Sequence, residues 1–239
     1  MQIEGKRVLI TGASRGLGRA LVTAFVDAGA SEVIAGARKR EDREALMADR
    51  VTAVRLDVTS DRDVESLGQL GAIDVLINNA GVAGFGNPLT MDFSAAQEEI
   101  AVNYLGTLRV TRAVAPVMIA QRDGMIVNVA TAFAKVNLPI IGTYCATKAA
   151  LLSLGQAMRA YLSEHNVRVI TVMPTTIDTD MSRGADVPKM TKEFVAGEII
   201  DAIREERHDP PIGEQAVGVF EGLSKDPIGL ERSLQDYRI

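Results

Sequence analysis

The chain has 239 residues, 47% of them hydrophobic and 24% charged, a composition that suits one globular domain over residues 1–239 with a core of its own. Its net charge of −5 comes from interspersed charges of both signs, which leaves no basic stripe for a phosphate backbone and excludes nucleic acid as an expected partner. One cysteine, Cys145, excludes an intrachain disulfide, His165 and His208 stand too far apart for metal-ligand spacing, and neither a signal-peptide pattern nor an apolar run near the roughly 20 residues of a membrane span is present, so a cytoplasmic protein that binds neither metal nor membrane is expected.

Arg7-Val8-Leu9-Ile10-Thr11 is a short apolar run that predicts a first strand ahead of a glycine-rich turn. Apolar residues at helical spacing then predict a helix over residues 19–28, with Gly29 placed to close it in the left-handed conformation. Further strands are predicted at residues 33–35, 53–56, 75–77, 125–129 and 167–172, six in all, separated by helix-length stretches. Most of these runs are continuously apolar rather than alternating, as in strands buried on both faces. A mostly parallel sheet with right-handed crossovers then gives a doubly wound, three-layer α/β/α Rossmann fold. The longest helices are predicted over residues 94–120, with Pro116 bending the last turns, and over residues 144–164. Residues 175–195 hold Gly184, Pro188 and several Thr and Asp, which suits a substrate loop over a site. Residues 192–207 read as helix, and beyond His208 elements are placed only loosely.

Between the first strand and helix, Thr11-Gly12-Ala13-Ser14-Arg15-Gly16-Leu17-Gly18 sits where a dinucleotide pyrophosphate meets backbone N–H groups and the positive end of a helix dipole. The same glycines fit a plain tight turn, and their position after the first strand favours the phosphate reading. Four more motifs follow in order: Leu56-Asp57-Val58 after the third strand, Asn78-Asn79-Ala80-Gly81 after the fourth, Asn103 within the long helix, and Tyr144-Cys145-Ala146-Thr147-Lys148 at the start of another. Together they resemble the short-chain dehydrogenase/reductase family, in its NADP(H)-preferring type, over residues 6–181. The resemblance implies an oxidoreductase that moves a hydride between a nicotinamide and a carbonyl or hydroxyl carbon.

An NAD-selective site carries an acid at the end of the second strand, which accepts from the ribose hydroxyls. Here that strand ends Gly36-Ala37-Arg38-Lys39-Arg40, with neutral Ala37 in the acid's place and cations after it. Arg38 is the expected partner of a 2′-phosphate and Arg15 a second, because guanidinium matches phosphate in charge and geometry. A solvated basic helix start is the alternative; NADP(H) is expected over NAD(H). By the resemblance, Asp57 accepts from the adenine amine with Val58 as a backbone contact, Asn79, Ala80 and Gly81 admit the cofactor ribose, and Pro174, Ile177 and Thr179 fix the nicotinamide amide. Asp57 also fits a loop cap and Asn79 an Asx turn at the sheet edge. Thr175 stands where the family has glycine.

Tyr144 and Lys148 are four residues apart at a helix start and so share one face. A free phenol titrates near pH ~10, but a nearby ammonium and the positive charge of an oxidised nicotinamide favour the phenolate, so Tyr144 is the expected general acid and base, biased by Lys148. The family implies that Lys148 also hydrogen-bonds the nicotinamide ribose. Carbonyl reduction builds negative charge on oxygen and calls for a second donor. The family usually supplies serine; thirteen residues before Tyr144 this chain has Thr131, whose hydroxyl can make the bond while its methyl group restricts rotamer and space. A strand-end threonine bonded to backbone is the alternative. Asn103 is a poor helix former, and similarity implies that it holds a water linking Lys148 to solvent, against the alternative of an exposed mid-helix asparagine. Cys145 reads as a small packing residue.

Phe133, Leu138, Pro139 and Met181 are the residues best able to line a substrate pocket, which favours a small or medium hydrophobic carbonyl compound or its alcohol; Arg183 or Lys189 would have to be brought in by the loop. Two rivals remain. One is a catalytically silent NADP(H)-binding protein, for which Thr131 and Thr175 speak; the other is a methyltransferase-like α/β domain, which needs no Tyr144 and Lys148 at this spacing. The long helices carry small and apolar residues that suit either the sheet or a subunit interface, and the resemblance implies a homodimer or homotetramer.

Overall fold

The apolar runs form seven strands among the described residues, β1 (Arg7–Ile10), β2 (Glu32–Ala37), β3 (Val51–Arg55), β4 (Val75–Asn78), β5 (Gly124–Val129), β6 (Val167–Pro174) and β7 (Pro211–Ile212). They pair in parallel in the order β3-β2-β1-β4-β5-β6-β7. The helices are α1 (Gly16–Asp27), α2 (Arg40–Leu46), α3 (Asp61–Glu65), α4 (Phe93–Glu99), α5 (Thr107–Gln121), α6 (Gly142–Leu162), α7 (Lys192–Arg204), α8 (Glu214–Lys225) and α9 (Pro227–Ser233). This computed structural model describes residues 1–235, so the last four residues of the expected single domain lie outside the described residues.

Successive strand residues face opposite layers, and both layers are dry. Val8, Ile10, Val33, Val75 and Val127 pack with Leu21 and Phe25 of α1 and Ile199 and Ile203 of α7. The alternate residues Leu9, Ile34, Leu76 and Ile126 pack with Val110, Val114 and Met118 of α5. This is why the strands read as continuous apolar runs: a parallel sheet covered on both faces has no wet side to mark. β1 pairs with β2 on one side and β4 on the other, so the strand order reverses there. The crevice at the carboxyl ends beside that reversal is where such folds bind ligands.

Several elements depart from the sequence expectation. β7 is a seventh strand of two residues, held by Met173↔Pro211 and Pro174↔Ile212. The first helix begins at Gly16 rather than residue 19, because the turn glycines enter the helix directly. Gly29 does close it, at φ +90, with Gly29 N–H bonded to Val26 O and Ala30 N–H to Phe25 O. The expected helix over residues 94–120 is α4, a π-helical segment Ile100–Gly106, and α5, which runs through Pro116 to Gln121. α6 starts two residues before Tyr144, and α7 ends at Arg204, short of residue 207, where Glu206 takes φ +53. Residues 175–195 are more ordered than a plain loop. Met190 N–H bonds to Thr176 O and Asp178 N–H to Met190 O, which closes a ring around the short 3-10 turn Asp180–Ser182.

Candidate active site

The glycine turn leaves the end of β1, and its glycines are needed for separate reasons. Gly12 has φ +64, and a Cβ there would stand 2.8 Å from Ala80 Cα; at Gly18 a Cβ would stand 2.1 Å from Gly12 O. Gly16, at φ +53, opens α1 against Thr179, whose Cγ2 would be 3.2 Å from a Cβ. The end of β4 braces this turn. Asn79 Nδ2 donates to Thr11 O at 3.0 Å and Gly12 O at 3.1 Å, while the Thr11 hydroxyl accepts from the N–H groups of Asn79 and Ala80. The Asn79 side chain thus supports the sheet edge, and its neighbours Ala80 and Gly81 form the smooth wall. Ser14, Arg15, Gly16, Leu17 and Gly18 line one cleft with them.

At one end of that cleft stand Ala37, Arg38, Asp57 and Val58. Arg38 makes no ion pair among the described residues, whereas Arg15 lies 3.5 Å from Asp180, which also pairs with Arg183. Asp57 accepts from the Thr59 N–H at 2.9 Å and hydroxyl at 2.7 Å. Burial works against its ionisation, but the Thr59 bonds, with Arg38 and Arg55, hold the carboxyl below its usual range. Asp57 therefore caps its own loop as well as facing the cleft.

The other end of the cleft holds Thr131, after β5, and Tyr144 and Lys148, on α6. Lys148 is 4% exposed; its Nζ donates to Val129 O at 2.8 Å and lies 5.6 Å from the centroid of the Tyr144 ring. Burial brings its pKa down to about 8. Burial also pushes the Tyr144 phenol above its ordinary value, with Cys145 and Glu99 acting in the same direction. Desolvation of the charged form is the largest cause, so the protein surroundings by themselves favour the phenol, against the lowering expected from Lys148 together with an oxidised nicotinamide.

The Thr131 hydroxyl donates to Pro174 O at 3.0 Å and accepts from Phe133 N–H at 3.3 Å. Both partners are backbone, so to serve as a second donor the hydroxyl must turn from Pro174. Asn103 is 0% exposed, which removes the exposed-asparagine reading, and it does not line the cleft. Its Nδ2 donates to Val82 O and Thr147 Oγ1, and its Oδ1 accepts from Val82 N–H, each at 2.9 Å. The side chain is thus fully bonded to protein. A Cβ on Gly81 would stand 3.3 Å from Asn103 Oδ1 and 3.5 Å from Lys148 Nζ, so both side chains converge on that one glycine.

Phe133, Leu138 and Met181 line the cleft, while Pro139, Arg183 and Lys189 do not. Pro174, Ile177 and Thr179 form its floor. Thr175 needs no glycine because its φ is not positive, and its hydroxyl donates to Gln215 Oε1 of α8 at 3.0 Å. Cys145 is buried, and burial pushes its thiol up to about 11, which fits a packing role. The sequence reading missed Val82, Ala83, Phe85 and Ile141, which complete the apolar wall. Gly84 and Gly86 on either side of Phe85 are the only local signal, and they mark a loop without saying what it borders.

The model of the family described as short chain dehydrogenase matches residues 6–188. A sorbitol dehydrogenase of Cereibacter sphaeroides is 35% identical over 78% of this chain and 76% of its own length. A D-erythrulose reductase of Gallus gallus is 37% identical over 77% of this chain and 76% of its own. The crystal structure of a short chain dehydrogenase from Burkholderia cenocepacia J2315 in complex with NADP is similar at a TM-score of 0.93, with 37% identity, covering 98% of this chain and 99% of that one.

Proposed function

The chain belongs to the short chain dehydrogenase family, and from that premise we propose that it is an NADP(H)-dependent oxidoreductase for small or medium, mainly apolar carbonyl compounds and their alcohols, with Tyr144 as general acid and base. Membership removes the methyltransferase-like reading. The observation that carries the proposal is that one continuous cleft joins the glycine turn and Arg38 to Tyr144, Lys148 and Thr131. The residues present fit a dinucleotide phosphate: glycines clear the amino end of α1, Ala37 adds no negative charge, and Arg38 is without an ion pair among the described residues. A bound nicotinamide would supply the hydride in reduction and accept it in oxidation. Tyr144 gives its proton to the carbonyl oxygen in reduction and takes one from the alcohol in oxidation. Lys148 stands beside it, and Thr131 supplies a second hydrogen bond once its hydroxyl leaves Pro174 O.

The apolar lining by Phe85, Phe133, Leu138, Ile141 and Met181 supports an apolar substrate. The names of the sorbitol and erythrulose relatives make polyhydroxylated compounds the first comparison. A catalytically silent cofactor-binding protein is the second reading, favoured by the backbone-bonded Thr131 hydroxyl. Cytoplasmic location and a homodimer or homotetramer belong to the proposal, the latter supported by exposed Phe93, Ile100 and Tyr161 on the long helical stretches. Light scattering on the eluting protein should give twice or four times the 25.6 kDa chain mass; a monomer at micromolar concentration would remove that part.

The test is to titrate NADPH and NADH by fluorescence and then follow nicotinamide absorbance with aldehydes, ketones and sugars. NADPH should bind at least about tenfold more tightly, a preference that Arg38→Ala abolishes. Turnover should fall by roughly 10²-fold or more in Tyr144→Phe. Tighter NADH binding would sink the role of Arg38, and undiminished turnover in Tyr144→Phe would sink that of Tyr144. NADPH binding with no turnover across apolar and polyhydroxylated substrates would favour the silent reading.

A further inference from the structure

Glu99 ends α4 and is 1% exposed, yet no cation pairs with it among the described residues. One carboxylate oxygen, Oε1, accepts from Gly84 N–H at 2.6 Å. The other, Oε2, is buried without a hydrogen-bond partner. Four residues on, Asn103 holds Val82 by both its N–H and C=O, so the two side chains grip the chain on either side of Ala83. Val82, Ala83 and Phe85 are cleft wall. The grip is tight: a Cβ on Gly84 would stand 3.0 Å from Met91 Cε and 3.4 Å from Glu99 Oε1.

An amide oxygen would hold Gly84 N–H at far less desolvation cost than a buried carboxylate with no counter-charge. Holding the loop therefore does not account for the carboxylate. α4 packs on α6, and Glu99 acts electrostatically on both Tyr144 and Cys145, in each case favouring the protonated form. We propose that Glu99 is a positioning residue of the active site, one oxygen fixing the pocket wall at Gly84 and the other, buried without a partner where α4 packs on α6, biasing proton transfer at Tyr144. The inference rests on the reading of Tyr144 as the proton-transfer residue. The titratable groups that bear on Tyr144 are Cys145 and Lys148 from its own helix and Glu99 from α4; Asp180 lines the cleft from the loop but is paired with Arg15 and Arg183. The bias keeps the proton on Tyr144 between turnovers; in reduction the substrate oxygen takes that proton as its carbon takes the hydride, and the phenolate is then reprotonated from solvent.

The test is Glu99→Gln, which keeps an acceptor for Gly84 and removes the charge, followed by carbon-13 NMR titration of the tyrosine Cζ atoms with NADP⁺ present and absent, the Tyr144 signal being assigned from Tyr144→Phe. The Tyr144 midpoint should move to lower pH, by about threefold to tenfold in proton affinity, while hydrogen exchange at the Gly84 amide stays slow. Glu99→Met, of similar length but without an acceptor oxygen, should move the midpoint likewise and speed that exchange; it also serves if Glu99→Gln does not fold. An unmoved or raised midpoint in a folded variant overturns the charge role, and fast Gly84 exchange in the unaltered protein overturns the grip. Turnover that survives Tyr144→Phe defeats the catalytic reading instead, since the titration needs no substrate.

Discussion

Lys148 brings an ammonium into a site that penalises it, and the sign of that penalty can be checked. Its pKa in the fold is about 8 against 10.5 for the free group, from desolvation. Because the folded pKa is depressed, the unfolded chain binds the extra proton between those values. The cost to stability is therefore complete below pH 8 and fades as pH rises toward 10.5. At 4% exposure the shift corresponds to about 3 kcal/mol, against which the bond to Val129 O returns on the order of 2 kcal/mol. Lys148→Met should thus raise stability at pH 7 by about 1 kcal/mol, lose that gain by pH ~10, and lower turnover by about 10²-fold or more. Urea melts at the two pH values read the first two effects; a variant less stable at pH 7 than at pH 10, relative to the parent, would contradict the sign.

The π-helical segment 100–106 shows what a sequence hides at the scale of elements. Its apolar spacing reads as plain helix, while the segment meets distant partners: Val58, whose Cγ2 would lie 2.6 Å from a Cβ on Gly106, and Val82, held by Asn103. Asn103→Ala should leave Val82 N–H and C=O without their partners and cost on the order of 3 kcal/mol, with kcat/KM falling as the wall at Phe85 loosens; a thermal midpoint within experimental error of the parent would refute that clamp. The strands and the glycine turn were legible because period and composition state them locally, and so were Tyr144 and Lys148, which share a helix. Thr131 was legible as a residue but not in its bond to Pro174, across 43 positions of chain. β7, Phe85 and Glu99 were not legible at all, since each owes its place to packing: two strand residues held by β6, a loop wall between two glycines, and a carboxylate that looks like any polar helix end until it is buried.

Across the whole molecule the two edges of the sheet divide the work. The carboxyl ends of the strands carry the cleft, while the amino ends carry ion pairs, Lys6 with Asp74 and Asp123, and Arg168 with Asp123 and Glu206. Lys6 is raised above its usual value, first by its hydrogen bond to Asp123; Asp123 is lowered, its burial being outweighed by Lys6 and Arg168. A raised lysine stabilises below its unfolded pKa of 10.5, and a lowered aspartate stabilises above 3.8, so the pair supports the fold between those limits and fails outside them. Asp123 is 42% exposed, and solvent screening keeps the contribution under about 1 kcal/mol. Lys6→Met should therefore lower the calorimetric midpoint near neutral pH by at most about 3 °C, with the difference shrinking as pH falls through the depressed pKa of Asp123. Cofactor affinity and kcat/KM should not change, because the charge removed lies at the opposite end of the strands from Tyr144. A loss of activity equal to that of a cleft variant would mean that the edges are coupled through the sheet, and a stability difference that does not shrink as pH falls below the depressed pKa of Asp123 would assign Lys6 to packing of its methylene stem rather than to charge.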